Sequence, residues 1–185
     1  MKFPKPLKIT SRTSTITNAF VQAVIPFAQP SHDELVLSLS HLGMEPNNIT
    51  CCYCGDKATD WDHLRPLVKN KKPTGYISDF KNLVPCCAPC NQSKSGAYWK
   101  DWITGSAKKS PKSRNVVGLD DRIRKLEQFE EWGKVTPLTV NELADEKVFN
   151  DYWKTLEEVK FQMDAAQKQA TIIRKQIVSR LQQML

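Results

Sequence analysis

Two Cys-x-x-Cys pairs, Cys51 with Cys54 and Cys87 with Cys90, are the strongest chemical signal in the chain. Two residues between thiolates let a tight turn present both sulfurs to one tetrahedral ion, and two such turns complete a closed four-sulfur site of the kind that holds structural Zn²⁺. Gly55, directly after the first pair, suits the turn that this requires. Cys52 and Cys86 are surplus to the four, and spacing alone also permits Cys86 to pair with Cys90. An iron–sulfur centre, disulfides or free thiols are the alternatives to zinc. Four thiolates leave no open position for water, so such a site belongs to folding and would staple residues 51–54 to residues 87–90.

Between the pairs lie Trp61-Asp62-His63-Leu64-Arg65-Pro66, a basic loop through Lys72-Pro73-Thr74-Gly75, and Asn82-Leu83-Val84-Pro85; the second pair runs directly into Asn91-Gln92-Ser93-Lys94. In this order the residues resemble the HNH (His-Me finger, ββα-metal) nucleases, over roughly Cys51 to Trp102. The resemblance implies hydrolysis of a phosphodiester, which needs a base to deprotonate water, a cation to stabilise charge on the phosphate and the leaving oxygen, and fixed geometry between them. His63 suits the base because an imidazole titrates near neutrality. Asp62, its neighbour on a strand, points to the opposite side and can ligate a cation, and Asn91 would add a second oxygen from the start of the helix after Cys90. An Asp, an Asn and several waters form a hard-oxygen environment that favours Mg²⁺ or Mn²⁺ over zinc. By the same resemblance, Asn82 would hold the His63 imidazole in its productive orientation. The sequence departs from the namesake pattern where Asn91 replaces the final histidine. Taken singly, His63 reads as a loop residue, Asn82 as a turn former and Asn91 as a helix cap; the set and its order carry the reading.

A polyanionic partner fits the charge. The chain carries +7 overall with a pI near 9.1, and between His63 and Val116 eleven Lys or Arg face only two acids. Arg65, Lys69, Lys71 and Lys72 form a loop that could track a duplex backbone, or merely a solvated charge run. Lys94, one turn beyond Cys90, could bind phosphate with the helix N-terminus, or be a solvated lysine. Tyr98, Trp99 and Trp102 have helical spacing that suits packing of a helix onto the strands better than stacking on bases.

The elements that must position these residues lie on either side. Thr13 to Phe27 has apolar residues at helical spacing, and Ser31 with Glu34 forms a capping-box pattern ahead of Leu35, Leu39 and Leu42, with Gly43 as a stop. His32 and His41 read as surface residues there. Ser106 to Asn115 has linker composition. Leu119, Ile123, Leu126, Phe129 and Trp132 mark an amphipathic helix that breaks at Gly133 and Pro137. Thr139 and Glu142 form a second capping box, and from about Glu146 to Leu185 there is no Gly or Pro. Phe149, Leu156, Met163, Ile173, Ile177 and Met184 share one face of that stretch, a helix roughly 60 Å long that either folds back on earlier helices or pairs with a second copy.

The expectation is therefore an α+β fold: an N-terminal helical segment (1–47), a ββα-metal core with one four-cysteine zinc site (48–105), a basic linker (106–116) and a C-terminal helical region (117–185) able to dimerise. No stretch is apolar enough for a secretory signal or a membrane span, which suggests a cytoplasmic protein with reduced thiols. The implied function is a DNA endonuclease acting on double-stranded DNA, in the manner of a type II restriction or phage-defence nuclease. Its rivals are a non-catalytic zinc-stapled DNA-binding module and a nuclease directed at RNA or acting as a toxin.

Overall fold

A computed structural model describes residues 5–27, 29–70, 72–139 and 144–184. It is a mixed α+β chain with two small two-stranded antiparallel sheets and a long C-terminal helix. Two compact units emerge, residues 21–139 and residues 1–20 with 140–185, and helix α1 (Thr13–Val24) crosses from one to the other. These boundaries differ from those suggested by composition. Helix α1 stops short of Phe27 because Pro26 disfavours helical geometry at the residue before it.

In the unit of residues 21–139, helix α2 (His32–His41) begins with the capping box that the sequence predicts: Glu34 N–H donates to Ser31 Oγ and Ser31 N–H to the Glu34 carboxylate. His41 is half-buried with its ring stacked 4.3 Å from Trp132, so it is not the free surface residue expected. Strand β1 (Asp60–His63) pairs antiparallel with β4 (Leu83–Cys86), placing Trp61 opposite Pro85, Asp62 opposite Val84 and His63 opposite Leu83. A short hairpin of β2 (Val68–Lys69) and β3 (Lys72–Pro73) lies in the connection between them. Helix α3 (Ala88–Lys94) starts at the second cysteine pair, with Pro89 in its first turn where no N–H is needed.

Helices α4 (Trp99–Ile103) and α5 (Leu119–Gly133) close the core, where Tyr53, Leu64, Val84, Trp99, Trp102 and Phe129 are buried together. Trp102 meets Tyr53 edge-on at 5.1 Å, and Trp99 is fully enclosed, so these tryptophans are packing residues. The basic stretch 106–116 is folded into the same unit. Ser110 is fully buried and its Oγ donates to Gly105 O at 2.7 Å, which holds the turn leading to a short 3₁₀ helix at Lys112–Arg114.

In the other unit, helix α6 (Glu146–Gln183) is capped by Asp145, whose carboxylate accepts from Val148 N–H. Its 38 residues span about 57 Å. Residues 9–20 run along its first two-thirds, with Ile9 N–H donating to Gln167 and Tyr152 Oη donating to Phe20 O. Beyond residue 170 the described side chains are all exposed, Ile173, Ile177 and Leu181 among them. Glu142, half of the expected second capping box, lies outside the described residues. No helix among the described residues is long and apolar enough to cross a membrane.

Candidate metal centre and the Asp62–His63 strand

The two cysteine pairs meet. The Sγ atoms of Cys51, Cys54, Cys87 and Cys90 all lie within 4.8 Å of one another, with Cys54 and Cys87 at 3.6 Å. A tetrahedral ion with bonds near 2.3 Å sets its sulfurs about 3.8 Å apart, so the four cysteines are compatible with a Zn²⁺ ion. Cys52 and Cys86 are buried elsewhere in the core as free thiols. Two guanidinium groups back the cluster: Arg114 Nη2 donates to Cys90 Sγ at 3.2 Å, and Arg122 Nη1 reaches Cys51 O at 3.5 Å. Both offset the negative charge that four thiolates accumulate. A hydrogen bond from Cys51 is the largest influence holding the Cys54 thiol well below its usual range, whereas bonds to Cys51 and Cys54 raise that of Cys90. Gly55 has φ of +83°, so the turn needs glycine for its backbone conformation, and the Arg122 guanidinium lies against it. Spacing gives no hint of Arg114, which sits in the stretch that composition marks as a linker.

Strand β1 leads from this cluster, and its alternation sends neighbouring side chains to opposite faces. Asp62 faces inward at 6% exposure. Tyr53 Oη donates to Asp62 Oδ2 at 2.7 Å, and Lys94 Nζ lies 3.1 Å from Oδ2 and 3.3 Å from Oδ1. Burial raises the Asp62 carboxyl above its ordinary value, opposed by the Lys94 charge and the Tyr53 hydrogen bond. Burial also pushes the Tyr53 phenol well up, which keeps it a donor.

Lys94 is therefore not placed to bind phosphate. It is 1% exposed, and its ammonium donates to Asp62 and to His63 O at 2.9 Å. This arrangement also bears on a divalent cation. Mg²⁺ needs open carboxylate oxygens and keeps several waters; with both Asp62 oxygens held by Tyr53 and Lys94, the residues as they stand do not fit that ion. Asn91 is half-buried on α3.

On the other face of β1, Trp61 and His63 stand beside each other, with Trp61 44% exposed. His63 Nε2 lies 2.7 Å from Ser78 Oγ. Burial, with a smaller contribution from the Lys94 charge, lowers the imidazole from 6.5 to about 4, so the ring is neutral across the physiological range. It opens onto a cavity of about 490 Å³ whose walls include Phe27, Leu35, Trp61 and Phe80.

Asn82, fully buried, does not touch the His63 ring by hydrogen bond. Its Oδ1 accepts from Arg65 N–H at 2.7 Å, and its Nδ2 donates to Arg65 O and Ile77 O. Asn82 thus clamps the loop after His63 to the loop before β4, and Ser78 is the side chain that holds the ring. Nothing in the spacing of Ser78 or Tyr53 marks either residue in advance; both act through contacts that only the fold brings about. Among the basic candidates, Arg65 is tied to Glu130 at 2.7 Å and lies over the Tyr98 ring at 4.6 Å, Lys69 and Lys72 are exposed on the hairpin, and Lys71 lies outside the described residues. Compared with family models, curated proteins and solved structures, the chain matches none of them.

Proposed function

We propose that this protein is a nuclease of the HNH type that hydrolyses DNA phosphodiesters with His63 as general base. The observation that carries this reading is the state of the His63 ring: neutral, held at Nε2 by Ser78, and opening onto a cavity one residue from a fixed carboxylate. In the proposed step the ring takes a proton from water as the water oxygen bonds to phosphorus. The phosphorus–O3′ bond breaks, and the leaving oxygen is protonated from solvent. The four-cysteine cluster, compatible with Zn²⁺, holds the strand and helix that frame this site and takes no part in the step.

The sequence resemblance adds Mg²⁺ or Mn²⁺ on Asp62 and Asn91. Such an ion would have to displace the Lys94 ammonium from Asp62, so the proposed step does not depend on it. The closed Asp62 also favours a second reading, a zinc-stapled DNA-binding module without catalysis, for which exposed Lys69 and Lys72 would supply phosphate contacts. A second copy pairing along Ile173, Ile177, Leu181 and Met184 would cover the exposed end of α6 and set two sites on opposite strands, as a restriction or phage-defence nuclease requires.

Incubating the purified, zinc-loaded chain with plasmid and with single-stranded DNA, with Mg²⁺ added and with it withheld, separates the readings. Discrete or smeared cleavage products on either substrate support the nuclease, and their loss when Mg²⁺ is withheld shows that cutting needs that ion. Retardation of both substrates on a gel without cutting of either overturns the nuclease in favour of the binding module.

A further inference from the structure

We propose that the cavity beside His63 receives an unpaired nucleobase, so that the strand cut at this site is single-stranded or locally unstacked rather than intact duplex. The inference rests on the nuclease reading for its choice of ligand and on the cavity walls for its detail. About 490 Å³ lies within the range of small-ligand sites, roughly 300–1,000 Å³. Three of its lining residues are Phe27, Trp61 and Phe80, and Leu35 and Leu83 also line it.

Two of the aromatic rings are unusually open for their type: Phe27 is 64% and Trp61 44% exposed. Both line the cavity beside His63, and exposed aromatic side chains are the surfaces on which successive bases of a single strand stack. Ser38 and Ser78 hydroxyls in the lining offer hydrogen bonds to a base edge, with Ser38 only loosely engaged at 3.4 Å from Phe80 O. Among the described residues no carboxylate lines the cavity, so a polyanion meets no like charge from them.

An intact duplex presents its bases paired and stacked, and extruding one costs a few kcal/mol. A single strand or a bulge avoids that cost. Because His63 itself lines the cavity, a base seated there brings its adjoining phosphodiester to the ring.

The test uses the full chain and one oligonucleotide containing 2-aminopurine, offered as a single strand, in a perfect duplex, and as an unpaired bulge in a duplex. Fluorescence quenching reports stacking of the probe base, and an RNA strand of the same sequence reports whether the sugar matters. Quenching of the single strand and the bulge but not of the perfect duplex is expected, with affinity reduced roughly tenfold in Trp61→Ala. Phe27→Ala, at the most exposed ring, should weaken binding in the same direction and guards against misfolding of the first variant.

Equal binding of all three forms, or no effect of either variant in protein with an unchanged circular dichroism spectrum, overturns the proposal. Cleavage of the same oligonucleotides separates this failure from that of the nuclease reading. Cutting of duplex and single strand at equal rates, insensitive to Trp61→Ala, leaves the nuclease and removes the base site; quenching without any cutting leaves the base site and removes the nuclease.

Discussion

Asp62 and His63 are neighbours on one strand, yet they enter opposite environments. The Asp62 face is closed: a lysine and a tyrosine occupy both carboxylate oxygens, the exposure is 6%, and the surroundings are the helix and turns that carry the cysteine cluster. The His63 face is open: among the described residues its ring hydrogen-bonds to Ser78, and it borders a cavity lined by exposed Phe27 and Trp61. The difference separates a face that holds the strand from the face proposed to react. A buried ion pair whose charges satisfy each other fixes the backbone, and Lys94 does so directly by donating to the carbonyl of His63 itself. The proposed chemistry falls on the face where a neutral imidazole meets free space.

The comparison can be broken first at its foundation. Replacing Cys54 with Ser, or stripping metal with a chelator, should unfold the unit of residues 21–139, since structural zinc contributes on the order of the ~5–15 kcal/mol that holds a domain together. Elemental analysis for zinc, paired with a thermal melt, checks this; a metal-free protein that melts unchanged would refute it. Lys94→Met comes next, leaving Asp62 buried without its counter-charge at a cost of about 3–5 kcal/mol in denaturant unfolding. Adding Asp62→Leu to that variant should restore most of the loss. Trp61→Ala, on the open face, should change stability by about 0.5–1 kcal/mol. Equal losses for Lys94→Met and Trp61→Ala would erase the distinction between the faces.

A pH-dependent effect follows from the ring. His63 is held to about 4 in the folded chain against 6.5 ordinarily, so on acidification the unfolded state takes up the proton first. Stability contributed by the neutral ring is complete above pH ~6.5 and is lost as the pH falls toward 4. The difference between wild type and His63→Gln in urea titrations from pH 7 to 4.5 isolates this slope, because the opposing contribution of Asp62, raised by burial, is common to both. A flat difference would place the ring in solvent. Ser78→Ala should cost the proposed cleavage about 1 kcal/mol, read as a several-fold fall in rate with little change in melting.

Local patterns were the legible part of this molecule. The Ser31 and Glu34 capping box, the amphipathic run from Leu119 to Trp132 and the unbroken helix from Glu146 depend on residues within a few turns of each other, and each is present. The four-cysteine cluster was legible for a different reason: two-residue spacing admits few geometries once a metal is invoked. The partners of Asp62 and His63 were not legible. Tyr53, Ser78 and Lys94 reach them across 9, 15 and 32 residues, distances over which no periodicity acts. Composition also misjudged residues 106–116, whose charge and serines read as a linker although Ser110 is buried and Arg114 reaches a cysteine sulfur. The pairing of residues 9–20 with α6 likewise depends on contacts some 130–160 residues apart.

The account turns on the imidazole at position 63. Cleavage rates of wild type and His63→Ala, measured on single-stranded and plasmid DNA with melting temperatures recorded in parallel, test it most directly. A loss of at least ~10²-fold in the variant, with its melting preserved, is the predicted result. A variant that cuts at the wild-type rate would contradict it.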